Sequence, residues 1–338
     1  MKTPFSPLVF AIRLIGYLPL WLTTRLVFAL AWLSCWLPLS VHSARRSMLV
    51  NLMLAYPEKS SAELTVMARR AFAELAWTLV DCAHSWSRGA NVSLARITRV
   101  QGQDALKDAM QSGRPVLLLS LHQSSWELPN LTVGTLGKVT VFYQPADDLA
   151  LNALVTQARE GTGSSLVAAN AQGVKAALAA MNRGEAVAIL ADHNPANAAG
   201  NPWVDFMGQP VRTSNLPYKL IKRYQPRVFF ACARRVGGKV EAHFIEADFQ
   251  ADMDEQAVLG KVNDGLAAMI NLAPTQYQWT YKRFYRTPEG RRPVYKKSAL
   301  PIIRQALRTD QRDALGLGVY TAETTAVLCE AARQNTRD

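Results

Sequence analysis

His122 and Glu127 stand five residues apart within LLLSLHQSSWEL, Leu117 to Leu128. Near neutral pH an imidazole can take a proton from an alcohol. A carboxylate on its other ring nitrogen would fix the tautomer and steady the imidazolium. The nucleophile would then be a hydroxyl brought by the substrate. Two other readings stand beside this one. Ser124-Ser125-Trp126-Glu127 also has the form of a capping box, with Glu127 at the third helical position. Alternatively, Ser120, Ser124 or Ser125 would attack covalently with His122 as base, although no G-x-S-x-G elbow is present.

Other stretches carry chemistry less sharply. Asp192-His193-Asn194 follows an apolar run that ends as a buried strand would, a position that commonly carries function in α/β sheets. Loop-entry hydrogen bonding explains the same residues. Arg212, next to Thr213 and Ser214, would receive an anion at a helix N-terminus, and ordinary capping competes with that. Tyr277 to Arg292 mixes Tyr, Trp and Phe with Lys282, Arg283, Arg286, Arg291 and Arg292. It reads as a strand, Gln278 to Tyr281, with a basic patch for lipid phosphates or an acidic carrier protein, or else as a core strand with a solvated edge.

The elements that must position these groups alternate. Val116–Ser120, Val139–Gln144 and Ala186–Leu190 are β-rich apolar runs, separated by helical stretches at Gln103–Ser112, Ser124 to about Leu131, Asp148–Glu160 and Gln172–Asn182. A long polar loop, Asp192–Pro210, precedes a helix at Thr213–Tyr224. Arg227–Arg234 and Lys239–Glu246 pair across Gly237-Gly238, and Met253–Leu272 is helical. This order predicts an α/β sandwich with a mixed sheet. Ser60 or Ser61 caps a long helix that runs toward Trp86. Helices are expected near Pro301–Arg308 and Ala322–Arg333.

The 338 residues carry a formal net charge of +12, which suits an anionic partner. No zinc-finger spacing, RNP-like string or long Lys/Arg block points to nucleic acid. Cys35, Cys82, Cys232 and Cys329 are scattered, as free thiols in a reducing compartment would be. The five histidines show no metal-ligand spacing, so no metal is expected. Leu8 to Val41 is apolar and studded with Trp21, Trp32 and Trp36, and no acidic residue precedes Glu58. It reads as a retained anchor, spanning or lying in a cytoplasmic membrane interface, over an internal helix pair or a signal peptide. The expected division is an anchor at 1–41, a catalytic domain at 42–296 and a helical extension at 297–338.

Several motifs match one family in order. RRSMLVNLMLAYPE (Arg45–Glu58), HQSSWEL (His122–Leu128), Arg159 before Gly161, ILADHN (Ile189–Asn194), VDFMGQPVRTS (Val204–Ser214) and APTQYQWTYKRFYRTPEG (Ala273–Gly290) together resemble the late acyltransferases of lipid A biosynthesis. The resemblance implies a glycerolipid-acyltransferase fold with an N-terminal membrane-anchoring segment. It also implies an enzyme of the inner membrane, its active site on the cytoplasmic face. Such an enzyme passes a fatty acyl chain from acyl carrier protein to a hydroxyl of a lipid A precursor, without a cofactor. His122 would be the general base oriented by Glu127, and Arg159, Asp192, Arg212 and Arg283 would serve the substrates. Gln123-Ser124-Ser125, His193 and Tyr281 depart from the family's usual residues. They keep open another lipid or glycolipid acceptor and an acyl-CoA donor; a non-catalytic lipid- or carrier-binding scaffold is a separate rival, against which His122 and Glu127 speak.

Overall fold

The computed structural model describes residues 6–39, 42–195, 199–288 and 290–310. The expected helix at 322–333 and Cys329 lie outside the described residues. Two short helices open the chain, α1 (Pro7–Tyr17) and α2 (Leu20–Ser34), bent 115° from one another. Helix α3 (Ser43–Ala55) leads to the long α4 (Ser61–Arg88), which starts at a true capping box between Ser60 and Glu63. Both α1 and α2 lie against α4. At Gly16 a Cβ would fall 2.4 Å from the Ala83 carbonyl oxygen, so only glycine permits that approach. Arg88 closes the C-terminal end of α1, its Nε donating to the Gly16 carbonyl at 2.7 Å.

After the short α5 (Ala90–Leu94) the alternating part begins with β1 (Ile97–Gln101) and α6 (Gln103–Gln111). Then come β2 (Val116–Ser120), α7 (Glu127–Gly134), β3 (Val139–Tyr143), α8 (Leu149–Arg159), β4 (Ser164–Ala168), α9 (Ala171–Asn182) and β5 (Ala186–Leu190). A small hairpin, β6 (Trp203–Phe206) and β7 (Gln209–Arg212), occupies what the sequence presents as loop. Helix α10 (Leu216–Tyr224), β8 (Arg227–Val236), β9 (Lys239–Ala247), α11 (Glu255–Leu272) and α12 (Leu300–Thr309) complete the described chain.

Seven strands form one mixed sheet in the order β1-β9-β8-β2-β5-β3-β4, parallel except between β8 and β9. Strand β2 lies at the centre and is buried on both faces. Leu117 and Leu119 join the core on one side, with Val187, Val228 and Phe230. Val116 and Leu118 join the other, with Val141, Phe229 and Phe244. Each such buried leucine contributes about 1.5–3 kcal/mol. The central strands therefore read as continuous apolar runs.

No described helix is long and apolar enough by itself to cross a membrane. The α1–α2 elbow turns Phe10, Tyr17, Trp21, Leu33 and Trp36 to the surface; Trp36 is 77% exposed.

Candidate active site

The register of two neighbouring strands builds the site. Ser120 pairs with Leu190 at the carboxyl ends of β2 and β5. Two residues beyond each lie His122 and Asp192, which the register therefore sets side by side. The Asp192 carboxylate accepts the His122 backbone N–H at 3.0 Å and lies 3.0 Å from Nδ1 of the same residue. It is 1% exposed, against 17% for the imidazole. Burial opposes the charge on Asp192. Attraction to His122, the hydrogen bonds from it and the nearby His193 outweigh burial, and hold the carboxyl well below the usual carboxylate range. An ionised carboxylate only accepts hydrogen bonds, so the proton of this contact sits on Nδ1 and the lone pair on Nε2. Tyr277, whose hydroxyl also hydrogen-bonds Asp192, is pushed upward by its burial and by that charge.

Glu127 does not hold the ring. Its carboxylate forms a bidentate pair with Arg159, at 2.8 Å to Nε and 2.6 Å to Nη2, and accepts the Trp86 indole N–H at 3.2 Å. Burial again opposes its charge; the Arg159 guanidinium, the Trp86 N–H and His122 reverse that and keep it ionised. The capping box is absent too. Helix α7 starts at Glu127 itself, after Trp126, with no side-chain cap, so Ser124 lies two residues before the N-cap position; Ser125 Oγ donates to buried Asp81. Ser124 adopts a left-handed backbone, φ 55°, the kind of strain that the surroundings must over-determine.

Those surroundings are the stretch expected as a last strand. Gln276 and Gln278 bracket the His122 loop: the Ser124 N–H donates to the Gln276 carbonyl at 2.8 Å, and the Gln278 N–H to the His122 carbonyl at 2.9 Å. Gln123 and Tyr277 form an isolated antiparallel bridge between them. Gln276 is in turn fixed by both backbone groups of Arg235, at 2.8 and 3.0 Å. Residues 276–278 therefore clamp the loop, and 278–281 form no strand. Asn51 holds the clamp from behind, donating to the carbonyls of Trp279 and Tyr281 at 2.6 and 2.8 Å. That explains the asparagine in the Arg45–Glu58 motif, which the sequence marked without a role.

The remaining residues divide. Asp192 is spent on His122 and is not open to substrate. Arg283 is 2% exposed and donates to Asn194 Oδ1 and the Arg212 carbonyl at 3.0 and 3.1 Å. Arg212 donates to the Asn201 carbonyl and lies 4.4 Å over the Trp203 ring, where it shapes the β6–β7 hairpin. Of the basic stretch, Lys282, Arg286 and Arg291 face solvent, whereas Arg283 and Arg292 are buried.

Beside His122 an apolar cleft opens on the α7 face of the sheet, enclosing about 540 Å³ of empty space including its mouth. Trp126, Glu127 and Arg159 line it with Leu118, Val141 and Phe244. Trp126 meets the His122 ring edge-on, centroids 5.4 Å apart.

His193 stacks flat on His122, centroids 4.3 Å apart and planes 10° apart. His122, Asp192 and His193 bring possible metal-ligating atoms within 4.8 Å. The geometry does not suit an ion, because near-parallel rings send their in-plane lone pairs along parallel directions and Asp192 is already committed. Burial lowers His193 to about 4, with Asp192 opposing and His122 and Arg283 adding to the shift. In the unfolded chain a histidine titrates near 6.5. Between these values the unfolded state binds the extra proton, so stability falls as pH drops from about 6.5 to about 4. At pH 5 this one group is expected to cost at most about 2 kcal/mol. Denaturant melts at pH 7 and pH 5 should show a smaller difference for His193→Gln than for the wild type.

Comparison with known proteins completes the picture. The family model for bacterial lipid A biosynthesis acyltransferases matches residues 5–286. The chain belongs to that family. Among relatives of this lipid A acyltransferase-family protein, the lipid A biosynthesis lauroyltransferase of Escherichia coli is 26% identical over 73% of this chain and 81% of its own. The palmitoleoyltransferase of the same organism is 24% identical over 72% and 80%, and the myristoyltransferase 23% identical over 77% and 81%. The sheet and helices are those of an α/β acyltransferase-family member. Within it, the Asp192 contact to His122 is the feature that sequence spacing did not reveal, since 70 residues separate the two.

Proposed function

We propose that this protein transfers a fatty acyl chain from acyl carrier protein to a hydroxyl of a lipid A precursor. The observation that carries the reading is an imidazole whose Nε2 has no partner among the described residues, pinned by a buried carboxylate and flanked by Ser120 and Trp126, which line an apolar cleft, in a member of this family. In the proposed step, Nε2 of His122 takes the proton of the acceptor hydroxyl. The oxygen attacks the thioester carbonyl carbon. The C–S bond of the tetrahedral intermediate then breaks, and the imidazolium returns the proton to the leaving sulfur. An ester and a free carrier thiol result. Asp192 holds the reactive tautomer. Glu127, fixed by Arg159, supports the imidazolium through its charge and walls the cleft, which would receive the acyl chain.

The delivery of substrates fits the same reading. An acidic carrier suits a chain of net charge +12. Helices α1 and α2, of 11 and 15 residues, extend about 16 and 22 Å, short of a hydrocarbon core of about 30 Å. We place the elbow in the cytoplasmic interface of the inner membrane, its Trp residues at headgroup depth.

The test is mass spectrometry of lipid A from a strain lacking the gene, complemented with wild type or His122→Ala. Loss of one acyl chain, restored by wild type alone, is expected. Unchanged lipid A would move the acceptor to another lipid, and rescue by His122→Ala would remove the general base. Purified protein given acyl carrier protein and CoA thioesters in parallel identifies the donor.

A further inference from the structure

We propose that His193 is a positioning residue: an uncharged imidazole stacked against His122 that steadies the cation His122 becomes during transfer. The inference rests on His122 acting as the general base.

The stack has three layers. His193 lies between the His122 ring, at 4.3 Å, and the Tyr281 ring, at 3.8 Å with planes 18° apart. Tyr281 is itself tied down, its hydroxyl accepting the Asn194 N–H at 2.9 Å and its carbonyl accepting from Asn51. Asn194 also donates to the Arg283 carbonyl at 3.1 Å. The platform beneath His122 is therefore built from β5, the segment after α11 and α3 together. It closes one face of the ring, Trp126 meets it edge-on and Asp192 takes the Nδ1 side, so the ring is held in one plane.

The charge balance matters as much as the fit. A protonated His193 would set one cation flat against another at the moment of proton transfer. The groups facing His193 are Asp192, His122, Tyr281 and Arg283. Of these the buried Arg283 guanidinium and His122 disfavour a charge on it, and only Asp192 favours one, through a carboxylate already shared with His122. Among the described residues His193 Nε2 is buried without a hydrogen-bond partner, which an uncharged ring tolerates far better than an imidazolium. The face of an uncharged aromatic ring attracts a cation stacked within about 6 Å. The groups facing His122 itself are Asp192, Glu127, His193 and Trp126. Two carboxylates and two neutral rings, His193 and Trp126, thus surround the nascent imidazolium.

The experiment uses the full-length protein in detergent micelles, with dodecanoyl-acyl carrier protein and a tetra-acylated lipid A precursor as probes. His193→Ala is expected to lower kcat by about 3- to 30-fold with little change in KM. The acid limb of kcat/KM should move to lower pH by about half a unit to one and a half units, because the cationic form of the base has lost support. His193→Phe, which keeps a ring face and has no nitrogen, should stay within about 3-fold of wild type. His193→Gln replaces alanine if the latter disturbs folding. Imidazole NMR of His122 gives a readout independent of turnover, and its titration midpoint should fall in the alanine variant and recover in the phenylalanine one. The inference is overturned if phenylalanine is as slow as alanine, which would require the ring nitrogen, or if the acid limb and NMR midpoint do not move. Full activity of His122→Ala would remove the underlying base assignment. Inactive His122→Ala with wild-type behaviour of His193→Ala would remove only the role of His193.

Discussion

Asp192→Asn should cost nearly as much activity as His122→Ala. The asparagine fills the same space and still accepts the His122 backbone N–H. Its amide, however, offers an N–H toward Nδ1 in one orientation, which moves the ring proton to Nε2 and blocks the base. Loss of the reactive tautomer in a comparable dyad costs about 10⁴ in kcat, and general base catalysis alone accounts for about 10²–10⁴. A fall of two to four decades in kcat, with KM little changed, is the expected result. The double variant should be no worse than the poorer single one, because the two residues act as a unit. Glu127→Gln provides the contrast. It leaves the Asp192 contact intact and should retain more activity than Asp192→Asn. The reverse order would hand the orienting role back to Glu127.

Arg235→Met is expected to be the most damaging single change to stability. The Arg235 side chain is 2% exposed and bridges α4 to β8, pairing with Glu74 and Asp81 at 2.9 Å each and donating to Thr78 at 2.9 Å. Glu74 and Asp81 are equally buried. Removing the guanidinium leaves two carboxylates sequestered, although Arg70 and Arg96 still reach them from the rim. Breaking a buried pair in this way costs about 3–5 kcal/mol. Urea unfolding of the purified variant would measure it, and a shift below 1 kcal/mol would show that the network contributes little. Restoring neutrality with Glu74→Gln and Asp81→Asn should recover part of the loss. Activity should fall as well, since Asp81 also accepts from Ser125 in the loop that carries His122.

Particular residues show where sequence reading succeeds. The runs Val116–Ser120 and Ala186–Leu190 declare themselves as strands because both faces of each are covered, and β-rich apolar runs have few other uses. His122 and Asp192 were visible at their ends. Their partnership was not, because strand order and register are set by helices packed elsewhere on the sheet. Glu127 lies near enough to His122 to feel its charge, but the contact to Nδ1 belongs to Asp192, and the Glu127 oxygens are taken by Arg159 and Trp86. Its true partner, Arg159, lies 32 residues on, at the end of α8. The capping box does not form because Ser124 takes a left-handed backbone and the helix starts only at Glu127. Gln278 to Tyr281 reads as a strand in sequence because alternating aromatics suit a half-buried strand. Its backbone groups instead go to the His122 loop and Asn51, a pairing no periodicity encodes.

The clamp on His122 also has a consequence for biosynthesis. Both dyad residues and both strands that carry them are synthesised well before Gln276 and Gln278, the groups that hold the loop in its strained shape. A chain still growing, or cut short before Pro274, has its base and carboxylate but nothing to fasten them. The α1–α2 elbow, by contrast, precedes all of these in the chain. On the proposed reading of that elbow as an interfacial anchor, the chain would meet a lipid surface long before the loop that carries His122 takes its final shape.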